Sequence, residues 1–222
     1  MTDSPALNPE LALAIGYARP KDRPALTALF ALDATCARIL RSTSEPLIGQ
    51  MRLTWWHDAL ERLDEDPAPA EPVLQALQAD VLSRRIAGGT LALAVEGWEA
   101  LLEEPLKLEA VRAHGRDRGS LFVVAGQAIG VEGAPLAGAG EGWALVDVAR
   151  NLRDRDLAQQ VIAAAQLLLD RACGGHWPRA LRPLGALAHR ARLDLAVPLD
   201  MAIPIGAPRR VARMFWHRIS GN

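Results

Sequence analysis

The chain has 222 residues, half of them hydrophobic and 23% charged, with a formal net charge of −1. That length suits one large domain with a sizeable core, and the balance of charge argues against global disorder and against nucleic acid as the main partner. The two cysteines, Cys36 and Cys173, stand outside any Cys-x-x-Cys or Cys/His cluster. Neither a disulfide framework nor a structural zinc site is therefore expected, and a reducing cytoplasm is the natural compartment.

Ala, Leu, Arg and Glu dominate, and β-type alternation is nearly absent, so the fold class expected is all-α. Met1–Glu10 is polar without a basic segment, so no secretory leader is expected there. Asn8-Pro9 reads as an N-cap with proline at the first helical position, opening a helix to about Ala18 that Arg19-Pro20 breaks. A second helix is expected over Asp22–Thr43, with Leu26, Leu29, Phe30, Ala37 and Leu40 spaced by threes and fours and Asp33 as the exception on that face. Ser44-Glu45-Pro46 turns into a third, Leu47–Leu63. Asp64–Pro72 carries three prolines and four acids and reads as a solvated loop. Two helices follow, Val73–Ala87 and Thr90–Leu102, separated by Gly88-Gly89. A long one spans Leu106–Ile129, and Gly133–Gly140 reads as a small-residue linker. The remaining helices are Glu141–Arg155, Ala158–Ala172, Arg179–Leu195 and Pro208–Ile219. No apolar run approaches the roughly 20 residues of a membrane span. The longest candidate, Val161–Leu169, is interrupted by Gln166.

The most informative stretch is Leu29–Leu63, and within it Glu45-Pro46, Gly49-Gln50-Met51-Arg52-Leu53, Trp55-Trp56 and Asp58-Ala59-Leu60. This run resembles the SEP-x-x-G-x-x-R-L-x-W-W-x-x-x-L pattern of one branch of the squalene/phytoene synthase family. Weaker likeness lies at Arg19-Pro20 and Arg23, at Gly119-Ser120-Leu121-Phe122, and at Leu187-Ala188-His189-Arg190, so the resemblance covers about Glu10 to Ser220. It implies an isoprenoid-synthase-like helical bundle around a central apolar cavity, formed by residues 1–222 as a single domain. In active members two acidic motifs face each other across that cavity and hold magnesium, which binds prenyl diphosphates. A hard cation needs several oxygen ligands, and carboxylates at i and i+4 on a helix supply two from one face.

Both motifs are altered here. Aligned without gaps, the first places Ala37 and Arg41 where the family has carboxylates, with Arg38 between them, and guanidinium groups repel a cation. Asp33, a turn earlier, reads as a buried acid paired with an arginine. The second corresponds to Asp147, Asn151 and Asp154, which at ~100° per residue fall on one face of a continuous helix. These could hold one cation weakly, or Asp147 and Asp154 could pair with Arg150 and Arg153. The branch resembled most includes the mitochondrial complex I assembly factor of this family.

Other constellations are ordinary. None of the five histidines is expected to pair at i, i+4 with another histidine or a suitable acid to form a zinc motif. No Gly-x-Ser-x-Gly or phosphate-loop pattern occurs. Trp55 and Trp56 point ~100° apart and both read as packed, one inward and one on a neighbouring helix. The last helix combines Arg209, Arg210, Arg213 and Arg218 with Phe215, Trp216 and Ile219, a pattern that suits either packing on the domain or an anionic membrane surface.

The sequence thus leads to a catalytically inactive family member, with no cofactor and no catalytic or metal residues. It would act as a binding or assembly factor for a respiratory membrane complex or an isoprenoid lipid. Its ligand-binding candidates are Arg38, Arg41, Asp147, Asn151 and Asp154. Its place would be the cytoplasm, peripheral at the inner face of the membrane through residues 208–220. The alternative is a prenyl-diphosphate transferase in which Asp147, Asn151 and Asp154 hold magnesium while Arg38 and Arg41 grip the diphosphate.

Overall fold

The computed structural model describes residues 8–222 apart from Ser44 and Ala134, so most of Met1–Glu10, and with it the expectation about a secretory leader, lies outside the described residues. Among the described residues there are ten α-helices and no strands. No helix is long and apolar enough to cross a membrane.

Local chemistry sets most helix starts. Asn8 caps α1 (Pro9–Gly16) by accepting the Glu10 N–H at 2.9 Å. A short 3₁₀ turn, Pro20–Asp22, leads into α2 (Arg23–Ser42), and α3 (Pro46–Arg62) begins on proline. The Glu71 carboxylate accepts the N–H groups of Val73 and Leu74 and starts α4 (Pro72–Asp80). The expected helix 73–87 ends early, and a 3₁₀ turn at Leu82–Arg84 and a left-handed Arg85 (φ 66°) follow. The cause is the Arg84 side chain, which donates to the carbonyls of Lys21, Asp80 and Ala128 and to Asp22.

Two expected breaks are helical instead. Gly88-Gly89 opens α5 (Gly88–Glu99), because the Gly88 N–H donates to Asp64 and α3 passes so close that a Cβ there would lie 1.9 Å from the Leu60 carbonyl oxygen. The stretch expected as a linker, Gly133–Gly140, is largely the start of α7 (Leu136–Asn151). Its glycines let α7 touch α6 (Leu108–Ala128) backbone to backbone: a Cβ on Gly140 would sit 2.1 Å from the Gly119 carbonyl oxygen. The remaining helices are α8 (Arg155–Cys173), α9 (Arg182–Asp194) and α10 (Pro208–Ser220).

The pair α6 and α7 forms the middle of the bundle. On one side α5 covers α6, with α3 outside it; on the other, α8 and α9 cover α7, and α10 lies on α9. Between α4 and α6 runs α2. One apolar cluster extends through the bundle from Ala14 to Met214. Where the resemblance implies a central cavity, the space between α2, α6 and α7 is filled by Phe30, Phe122 and Trp143, with ring centroids 5.4–6.2 Å apart. Ala31, Ala125 and Ala128 are buried in the same core and serve close packing. Trp56 is buried, but Trp55 is half exposed, stacked edge-on against Trp56. The outer tryptophan therefore covers its neighbour and does not belong to the core.

The glycine contact is testable. Gly140→Ala forces α6 and α7 apart and is expected to lower stability by about 1–3 kcal/mol, read as a fall in the urea midpoint. Gly16→Ala, where nothing lies within 4 Å of the added Cβ, should leave the midpoint nearly unchanged.

The seat of α10 gives a second test. His189 and His217 are buried with ring centroids 4.5 Å apart, and Arg213 lies 2.8 Å from His189. Burial, followed by neighbouring positive charge, pushes His189 down to about 3, and burial takes His217 down to about 4. An unfolded histidine titrates near 6.5, so the unfolded chain takes up protons that the folded chain refuses. The contribution to stability is whole above about pH 6.5 and is lost as pH falls toward these folded values. The melting temperature should drop between about pH 7 and pH 5. In His217→Phe, whose ring can still stack on Trp177, the acid slope should be shallower.

Candidate functional site

Helix α6 carries an apolar stripe through Val111, Leu121, Phe122 and Ala125, and Arg118 lies in that stripe. Its guanidinium is almost wholly buried. It donates twice to Asp33 of α2, Nε to Oδ1 at 2.7 Å and Nη2 to Oδ2 at 2.9 Å, and once to Asp147 of α7, Nη1 to Oδ2 at 2.6 Å. Two indoles close its faces: Cζ lies 4.5 Å from the ring centre of Trp98 on α5 and 4.3 Å from that of Trp143 on α7. Burial opposes the arginine's charge, but the two carboxylates outweigh it and hold Arg118 more firmly protonated than usual. Burial likewise pushes Asp147 up, but the charge and hydrogen bond of Arg118 reverse the shift and hold it below the ordinary carboxylate range. One turn before Arg118, His114 contacts the Gly97 carbonyl through Nδ1 at 2.8 Å. Its burial, reinforced by Arg118, takes it down to about 3, so it is neutral.

The Asp147 side chain is 46% exposed and faces a small pocket of about 180 Å³. Glu10, Trp143, Arg150, Arg190, Asp194 and Arg210 line it. A second buried ion cluster forms its far wall. Arg210 of α10 holds both oxygens of Glu10 on α1, at 2.8 and 2.7 Å, and also bonds Asp194 of α9. Burial raises Glu10, but the Arg210 bond and the Gly206 N–H more than offset it, and its net shift is downward; for Asp194 burial wins and the shift is upward. Between the clusters stands Arg190, whose Nε has no hydrogen-bond partner among the described residues. Burial lowers its pKa. The segment before α10 closes the pocket from outside, because Arg150 donates to the carbonyls of Val197, Pro198 and Met201.

Of the five ligand-binding residues expected from sequence, only Asp147 reaches this pocket. Arg38 and Arg41 are exposed near the end of α2 and do not line it. The expected common face of Asp147, Asn151 and Asp154 does not form, because α7 stops at Asn151. The Asn151 side chain folds back to donate to the Asp147 carbonyl, Leu152 is extended, and Asp154 caps α8 through the N–H groups of Asp156 and Leu157. Asp147 and Asp154 pair with neither Arg150 nor Arg153. Magnesium does not fit this donor set. Both Asp33 oxygens and one Asp147 oxygen are bound to a guanidinium, and Asp154 is committed to a helix cap.

The histidine reading also needs correction. His57 and Glu61 do stand at i, i+4, and with Asp58 their ligand atoms lie within 4.8 Å of one another. Nε2 of His57 also contacts Glu96 at 3.2 Å. Burial lowers this ring's pKa, but the acids around it raise it further, and the result is an exposed ion-paired patch on α3 and α5.

Residues 8–104 match the family model for squalene/phytoene synthase. The match covers less than half of the chain, and over that stretch the chain is similar to the squalene/phytoene synthase family. No curated protein and no solved structure matches it. The part matching the squalene/phytoene synthase model contributes Glu10, Asp33 and Trp98 to the two clusters, while Arg118, Asp147, Arg190 and Arg210 come from the rest of the chain.

Sequence reasoning passed over Arg118, and the signal was available: a single cation inside a helix-spaced apolar stripe must find a buried anion. Its removal gives a clear expectation. Arg118→Met strands the buried Asp33 carboxylate and should destabilise the protein by roughly 3–5 kcal/mol in urea unfolding. Asp33→Asn should cost a similar amount. The double variant should cost much less than the sum, because neither charge is then left alone.

Proposed function

We propose that this protein is a non-catalytic member of the squalene/phytoene synthase family that works as a binding or assembly factor. The observation that carries this reading is the capture of Asp33 and Asp147 by Arg118. A diphosphate-metal centre needs carboxylate oxygens free to converge on a cation, and the interior of this bundle commits them to a guanidinium.

The size and polarity of the pocket support the same conclusion. About 180 Å³ walled by six charged residues is below the roughly 300–1,000 Å³ of ordinary ligand pockets, and a prenyl chain would gain little against such walls. That favours a protein partner over an isoprenoid lipid held in the middle of the bundle. The transferase alternative requires Asp147, Asn151 and Asp154 to act together, and they point to three separate tasks.

A surface suited to such work lies on α3. Leu47, Ile48, Met51 and Trp55 are all exposed and fall along one side of that helix, within the run that carries the family resemblance. A respiratory membrane complex is the partner class that the resemblance suggests.

The direct test is diphosphate release from farnesyl and geranylgeranyl diphosphate with magnesium, comparing the purified protein with its Asp147→Ala variant. Neither should exceed the protein-free blank. Turnover by the wild type that the variant loses would overturn the proposal.

A further inference from the structure

We infer that the outward face of α10, together with the arginine groove beside it, binds the headgroup region of an anionic lipid membrane. The helix is docked by Arg210, Met214 and His217, all buried. The opposite face presents Phe215, Trp216 and Ile219, each at least half exposed. An exposed aromatic stripe on a docked helix needs an occupant, and the charges around it say which. From Met201 to Asn222 there is no acidic residue. Arg209 and Arg218 are exposed and flank the stripe on its two sides, a placement that lets long cationic side chains reach phosphates while the aromatic face enters the interface.

The groove supplies the second part. It has a volume of about 480 Å³ and is lined by Tyr17, Arg19, Arg23, Arg179 and Arg218, with no carboxylate in its wall. Arg218 joins the two features: its Cζ lies 5.0 Å from the Tyr17 ring centre, and Phe215 precedes it by three residues, one turn along the same helix. Arg19 is bound to Asp22 and Arg23 to the Ala18 and Gly16 carbonyls, so these two are fixed in place. Arg179 and Arg218 have no carboxylate partner among the described residues. Four guanidinium groups around one opening suit a phosphate, and an apolar face at its rim suits the acyl boundary next to that phosphate. At 13 residues, α10 is roughly 20 Å long and would lie along the surface.

This inference stands whether or not the bundle has lost catalysis, and a different assay reads it. Flotation should be measured with neutral phosphatidylcholine vesicles and with phosphatidylglycerol-rich ones. The wild type should float with the anionic vesicles only, and added salt should weaken the association. Arg179→Gln/Arg218→Gln should lose roughly fivefold in partitioning per arginine removed. Phe215→Ser/Trp216→Ser, at solvent-facing positions, should abolish flotation while keeping the wild-type urea midpoint. The inference is overturned by no anion-dependent flotation, or by variants that float like the wild type. Calorimetric binding of inorganic phosphate without vesicle binding would overturn it too, and would make the groove a site for a free anion.

Discussion

A guanidinium in the middle of a helical bundle has to be neutralised, and nearly everything else in this structure follows from how that is done. Arg118 cannot reach water, so α2 must bring Asp33 and α7 must bring Asp147 to it, while α5 and α7 supply the indoles that cover its faces. Four helices are thereby fixed in register by one side chain. A buried ion pair adds little net stability compared with a well-packed apolar replacement, but breaking it is costly, so its effect is to penalise every other arrangement of these helices. The same bonds occupy both Asp33 oxygens and one oxygen of Asp147.

The pocket next to this cluster shows the reverse side of that economy. Its walls carry equal numbers of acidic and basic groups, and most of these already have partners: Arg210 has Glu10 and Asp194, and Arg150 has three backbone carbonyls. Arg190 stands between the clusters with an Nε that has no hydrogen-bond partner among the described residues. An interior organised in this way is a strut. Exposed apolar side chains, by contrast, gather on the outside of α3 and α10. The charged groups are thus largely paired inside the bundle, and two outer helix faces carry apolar side chains.

Much of the helical order was legible in the sequence because it rests on local rules: the Asn8 cap, the prolines at helix starts and the spacing of Leu26, Leu29 and Phe30 act within a few residues. The misreadings share one cause. Gly88 and Gly140 look like breakers to a local rule, and only the neighbouring backbone shows that they are contact points. Arg84 ends a helix for partners more than 40 residues away. The site was visible in part: Asp33 read as a buried acid with an arginine partner, but which of 25 Lys and Arg residues it meets depends on how α2 crosses α6. Continuity of α7 through Asp154 failed because Asp154 is a better cap than a helix-interior residue.

The link between Glu10 and Arg210 spans 200 residues. On a ribosome adding about 5–20 residues per second, the acid of α1 leaves the exit tunnel roughly ten to forty seconds before its partner exists. Through that interval α1 cannot settle into its final seat, since a carboxylate without its cation does not enter an apolar interior. Helix α1 therefore docks late although it is made early relative to α10, and the clasp between the two closes only once α10 has been made.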